Sequence, residues 1–163
     1  MNPTNQKFID RLHPKIQPAT TAAIIAAEAV LTGPAKPIIT FGMRTFQEQQ
    51  AIYDQGRTKP GQIVTKAKPG QSYHNYGLAV DVALLINGKA LSWDIGKDWD
   101  GDRRSDWMEV VAVFKGAGFA WGGDWNTFKD MPHFEMTFGH NWRQLLAMHE
   151  ARQFIPGTEF VAI

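Results

Sequence analysis

SYHNYGLAVDVALL, residues 72–85, begins as a polar loop containing Gly77 and ends as an apolar strand. Inside that strand sits one carboxylate, Asp81, downstream of His74. An aliphatic side chain would pack there without cost, whereas a buried carboxylate must be paired, hydrogen-bonded or bound to a metal. The strand AVDVALLI (79–86) runs into Asn87-Gly88 and then KALSW (89–93), the best short-range hairpin signal in the chain. A hairpin with a misplaced acid is the feature around which the rest is arranged.

Upstream, TTAAIIAAEAVL (20–31) has helix-forming composition and ends before Gly33-Pro34, while PIITF (37–41) reads as a short buried strand. Thr45 with Glu48 three residues on forms a capping box, which predicts a helix through about Gln55 closed by Gly56. The stretch 56–72, GRTKPGQIVTKAKPGQS, is rich in glycine and proline and is predicted as loop. Downstream, Ser105 caps a helix over 105–115 that stops at Gly116 and Gly118. FAW (119–121) and HFEMTF (133–138) read as strands, and NWRQLLAMHEAR (141–152) as a final helix. Leading helices followed by a hairpin and later strands predict an α+β fold with a small antiparallel sheet. Residues 1–163 are expected to form one domain.

The bulk properties narrow the function. A chain of 163 residues with 44% hydrophobic content suffices for one proper core. A net charge of +1 gives no general attraction for nucleic acid or anionic membrane, so neither is expected as a partner. The absence of cysteine removes disulfides, thiol nucleophiles and cysteine-ligated zinc. MNPTNQKFIDRLHPKIQ has no apolar run behind a basic segment, and no stretch approaches a membrane span. The expectation is therefore a protein made in the cytoplasm without a signal peptide.

Asp81 has few cationic neighbours in sequence, but His74 lies upstream and His133 sits in DMPHFEM (130–136). Two imidazoles and a carboxylate form a common three-ligand zinc set with a fourth position open to water. A loop-to-strand transition can bring His74 back to Asp81, and Gly77 supplies the backbone freedom. Taken singly, each residue has an ordinary reading, since a lone histidine is usually structural and a strand Asp usually marks an edge. Together they favour a metal.

The motif S-x-H-x-x-G-x-A-x-D, present as SYHNYGLAVD, followed by D-x-x-H-F-E, present as DMPHFE, resembles the zinc peptidases of peptidoglycan. That family holds D-alanyl-D-alanine carboxypeptidases and L-alanyl-D-glutamate endopeptidases. GMRTFQEQQAIYDQGRTKPG (42–61), VTKAKPGQSYHNYGLAVD (64–81) and GFAWGGDW (118–125) extend the resemblance, which looks closest to the L-alanyl-D-glutamate branch that includes phage endolysins. It implies zinc as cofactor, with His74, Asp81 and His133 as ligands and Asp130 as the catalytic acid and base. It also implies that Arg44, Ser72 and Gln49 contact substrate. In such a site zinc lowers the pKa of water from about 15.7 to near 7. Proton transfer by Asp130 is a task usually worth roughly 10² to 10⁴ in rate, and Arg44 suits both an oxyanion and a peptide carboxylate. Glu135 is a rival for the proton-transfer role, because in a strand it shares a face with His133; the family position favours Asp130.

Other features invite a chemical reading. His149-Glu150 suggests a second zinc motif, but Gln153 stands where the second histidine is required, and His13 and His140 read as structural. Trp121 and Trp125, in WGGDW, read first as core residues, with the glycines between them forming a turn at the cleft wall. Asp98, Asp100, Asp102, Asp106 and Glu109 occupy relative positions 1, 3, 5, 9 and 12, the oxygen-ligand spacing of a calcium loop. Arg103 replaces the usual glycine at the sixth position, and a helix start at Ser105 falls inside the loop; the alternative is a solvated acidic turn.

The resemblance implies a monomeric zinc peptidase acting on the peptide stem of peptidoglycan, a cell-wall lytic enzyme that reaches the wall after holin-type release. A D,D-carboxypeptidase or dipeptidase with the same chemistry is the biochemical alternative. A catalytically inactive wall-binding module is the alternative from another class.

Overall fold

A computed structural model describes residues 1–163. Five helices surround one five-stranded sheet. The helices are α1 (Pro3–Ile9), α2 (Gln17–Val30), α3 (Phe46–Asp54), α4 (Asp106–Gly116) and α5 (Trp142–Glu150). The strands are β1 (Ala35–Phe41), β2 (Ala79–Ile86), β3 (Ala90–Ser92), β4 (Ala120–Trp121) and β5 (His133–Glu135). The class is α+β, as the sequence predicts, and every strand pairing is antiparallel.

Local signals explain most boundaries. In α3 the Thr45 hydroxyl accepts the Glu48 N–H while the Glu48 carboxylate accepts the Thr45 N–H, so the capping box closes on both sides. Ser105 accepts from Met108 N–H and starts α4. Helix α1 is an addition to the sequence reading. Asn2 caps it through Thr4 N–H, and Pro3 occupies a first-turn position that needs no donor. The strand expected over 133–138 stops at Glu135, after which Met136 N–H makes one more bond to Leu78 O.

Strand β2 is the centre of the sheet. Along one edge it pairs with β1, from Ala35 opposite Ile86 to Phe41 opposite Asp81, with a bulge between Ile39 and Phe41. Along its other edge β3 covers residues 84–86 and β5 covers residues 79–81. The hairpin thus leaves half of that edge free for β5. Helices α2 and α4 supply apolar faces, and Trp107, Phe114 and Phe134 are fully buried. Phe114 and Phe134 rings lie 4.5 Å apart at centroid. On β5 the alternation is strict in its consequence: Phe134 enters the core while His133 and Glu135 point to the opposite face. No helix is long and apolar enough to cross a membrane.

Candidate metal centre

Strand register does the first part of the assembly. Asp81 on β2 is the direct cross-strand partner of His133 on β5, which brings Cβ atoms to within about 5 Å. The third residue arrives from a 3₁₀ turn, Tyr73–Tyr76, whose His74 N–H is capped by the Ser72 hydroxyl. Gly77 ends that turn at φ +67°, a left-handed conformation that turns the chain into β2. A Cβ there would also lie 2.6 Å from the His13 backbone nitrogen. The turn thereby places His74 Nε2 3.2 Å from Asp81 Oδ1 and 3.2 Å from His133 Nδ1, with His133 Nδ1 3.3 Å from the same oxygen.

The far side of each imidazole is equally specified. His74 Nδ1–H donates to the Gly42 carbonyl at 2.8 Å, and His133 Nε2–H donates to Glu135 Oε2 at 2.8 Å. These bonds fix the orientation of both rings so that His74 Nε2 and His133 Nδ1 face Asp81, the arrangement that orients histidine ligands of a metal. Burial alone would raise the Asp81 pKa, but hydrogen bonds with His133 and His74 hold it well below the usual carboxylate range. Burial would lower His133, yet its bonds to Asp81 and Glu135 push it up to about 9. The donor set, two imidazole nitrogens and a carboxylate oxygen within one small triangle, fits a transition-metal ion such as zinc.

The triad opens on a cleft of about 890 Å³. Arg44, Ser72, Trp125, Lys129, Asp130 and Glu135 are among its lining residues. Arg44 is held by its Nη1–H bond to Gln49 Oε1 at 3.1 Å, and its guanidinium lies 4.1 Å over the Phe41 ring. Gln49 is fully buried and donates onward to the Ala67 carbonyl at 2.8 Å, so it supports Arg44 and the 65–68 loop from behind the cleft. Ser72 lines the cleft, but its hydroxyl also caps the turn that carries His74. Asp130 follows a close backbone approach: its N–H donates to Gly122 O at 3.1 Å, and a side chain at Gly122 would collide with the Asp130 carbonyl. Partial burial, then the Asp81 charge, raises the Asp130 carboxyl pKa, against opposing pulls from His133, His74 and Arg44.

Several placements add to or amend the sequence reading. Trp121 is a core residue as expected, whereas Trp125 is half-buried at the cleft, its ring 5.2 Å from that of His133. Glu135 holds His133, a connection visible in sequence only as strand alternation. Gly42 acts through its carbonyl and Lys66 stands over the Phe128 ring, and no sequence signal marks either. His149 stacks on Phe46 at 4.4 Å, and His13 is buried against the Val161 carbonyl. His140 Nδ1 lies 3.0 Å from the Phe138 carbonyl.

A family profile described as D-alanyl-D-alanine carboxypeptidase matches residues 65–136, the segment bearing all three candidate ligands and Asp130. That segment carries the family's sequence pattern. The peptidoglycan L-alanyl-D-glutamate endopeptidase CwlK of Bacillus subtilis (strain 168) is 54% identical over 99 residues, which are 61% of this chain and 59% of that protein. The L-alanyl-D-glutamate peptidase of Listeria phage A118 is 34% identical over 53% of this chain and 30% of its own length. The chain thus aligns with less than two thirds of either relative. The crystal structure of Serratia marcescens L-Ala D-Glu endopeptidase ChiX has the same fold, with a TM-score of 0.58 at 20% identity over 85% of this chain and 90% of that one.

Proposed function

We propose that this chain is a zinc-dependent peptidase that hydrolyses the peptide stem of bacterial peptidoglycan at the L-alanyl-D-glutamate bond. The observation that carries the reading is the convergence of His74 Nε2, Asp81 Oδ1 and His133 Nδ1 at the base of a cleft also lined by Arg44 and Asp130. The names of the two aligned relatives supply the substrate class and the bond. His74, Asp81 and His133 would hold zinc, which supplies Lewis acidity and brings the pKa of water from about 15.7 towards 7.

The chain's own groups do the rest. The Asp130 carboxylate accepts the proton of the attacking water and returns it to the departing amine nitrogen. The Arg44 guanidinium, preset by Gln49, faces the negative charge that grows on the scissile carbonyl oxygen. Lys66 and Lys129 add positive charge along the cleft, complementary to an acidic stem peptide. Trp125 and Phe128 offer flat apolar surface for the peptide backbone. In this reading residues 1–163 act as one catalytic domain, as a monomer, at the cell wall.

Digestion of purified peptidoglycan with zinc, and with a chelator, tests the proposal. Zinc-dependent release of fragments with new N-terminal D-Glu is the expected result. Free D-Ala instead would reassign the chain to the carboxypeptidases. No hydrolysis under either condition, with wall binding retained, would make it a binding module.

A further inference from the structure

Away from the cleft, the loop between β3 and α4 and the first turn of α4 together gather the acids Asp98, Asp100, Asp102, Asp106 and Glu109. Carboxylate oxygens of Asp98, Asp100 and Asp106 lie within 4.8 Å of one another, and those of Asp100, Asp102 and Glu109 form a second such group. The groups share Asp100. None of the five takes part in any ion pair of the molecule, despite Arg103 and Arg104 in the same loop.

The cluster alone would be ordinary; Asp106 makes it otherwise. Asp106 is 0% exposed, and its Oδ1 accepts the Trp99 N–H at 2.8 Å, but its Oδ2 is buried without any hydrogen-bond partner. Glu109 Oε2, one helical turn on, is likewise buried and unpartnered. A buried carboxylate oxygen facing other carboxylates is unfavourable unless a cation or a proton joins it. Burial first, then the neighbouring acids, raises the pKa of both groups, against the Trp99 N–H bond that lowers that of Asp106.

The remaining oxygens are already organised. Asp98 accepts from Gly101 N–H at 2.6 Å and Arg103 N–H at 2.9 Å, and Asp102 accepts from Arg104 N–H at 2.7 Å. Asp100 Oδ2 accepts from both the Thr32 N–H and its hydroxyl, each at 3.0 Å, which ties the loop to the end of α2. Arg103 takes φ +75°, the left-handed conformation for which the sixth loop position ordinarily uses glycine. The helix start at Asp106 returns Glu109 to the loop within one turn, so the sequence feature that argued against the site helps to build it.

We propose that Asp98, Asp100, Asp102, Asp106 and Glu109 form a calcium site, separate from the candidate zinc centre, that braces the 93–106 loop between α2 and α4. Oxygen-only donors at this spacing suit calcium, which accepts six to eight oxygens in irregular geometry, better than magnesium, which demands an octahedron. The ion neutralises Asp106 Oδ2 and Glu109 Oε2 and so stabilises the fold.

Calorimetric titration of the zinc-loaded chain with calcium chloride, paired with thermal melting, tests this. The expected result is one calcium bound per chain and a melting temperature raised by roughly 5 °C at a hundredfold excess over Kd. Asp106→Asn, which keeps an acceptor for Trp99 N–H, should weaken calcium binding at least tenfold while melting no lower than wild type without calcium. Glu109→Gln should do the same and serves as the second variant should Asp106→Asn fail to fold. No heat and no calcium-dependent melting shift at millimolar calcium overturns the proposal. So does an equal shift in both variants, and an equal response to magnesium overturns the assignment to calcium.

Discussion

Glu135 and Asp130 are two carboxylates of one cleft in different surroundings. Glu135 Oε2 is held 2.8 Å from His133 Nε2, whereas Asp130 faces the cleft with its carboxyl pKa raised by partial burial. Removing each should therefore fail differently. Glu135→Ala frees the His133 ring and should weaken zinc binding about 10- to 100-fold, with turnover recovering in excess zinc. Asp130→Ala should bind zinc as wild type does and lose roughly 10² to 10⁴ in kcat. Zinc competition against a chelator, alongside wall digestion, separates the two; the opposite pattern would exchange the roles. Arg44 illustrates the same dependence on a neighbour, since buried Gln49 fixes its guanidinium.

Two short turns set those residues, and each depends on a glycine. Gly77→Ala would force a left-handed residue, at about 1–2 kcal/mol, and press its Cβ against the His13 backbone, so melting should fall and the His74 turn should loosen. Gly122→Ala drives a methyl into the Asp130 carbonyl and should lower kcat, by up to about 10²-fold, with zinc binding kept. A kcat unchanged in that variant would show that Asp130 tolerates displacement. The turns were only partly legible in the sequence. The hairpin at Asn87-Gly88 and the capping box at Thr45 and Glu48 are local signals, and they read correctly because their causes lie within a few residues. The convergence of His74, Asp81 and His133 was suggested by residue type and by resemblance. The side chains that orient them came from register and turn geometry, which link residues tens of positions apart. Helix α1 has an apolar pattern too short to stand out in the sequence, and β5 is shorter than its HFEMTF pattern because Met136 leaves the ladder after one bond.

At the scale of the molecule, the site rests on one core. Phe134 lies between His133 and Glu135 in sequence but packs against Phe114, so Phe134→Ala should cost about 3–5 kcal/mol in denaturant unfolding and loosen β5. His13 joins remote parts of the chain: its N–H bonds to Gly77 O, its Nδ1 accepts from Lys15 N–H at 3.1 Å, and its Nε2–H donates to Val161 O at 2.9 Å. Both ring nitrogens are thus satisfied only in the neutral form, and burial lowers the pKa below 6.5. The unfolded chain consequently takes the proton first. Stability from His13 is complete above about pH 6.5 and declines as pH falls below it. The melting-temperature gap between wild type and His13→Gln should accordingly narrow between pH 7 and pH 5; a constant gap would contradict the neutral assignment. The central claim concerns the metal, and zinc-edge anomalous diffraction from crystals of the zinc-loaded chain tests it most directly. A peak about 2.0–2.2 Å from His74 Nε2, His133 Nδ1 and an Asp81 oxygen is the predicted result. Zinc bound through other atoms, or a triad whose three side chains diverge with no peak between them, would contradict it.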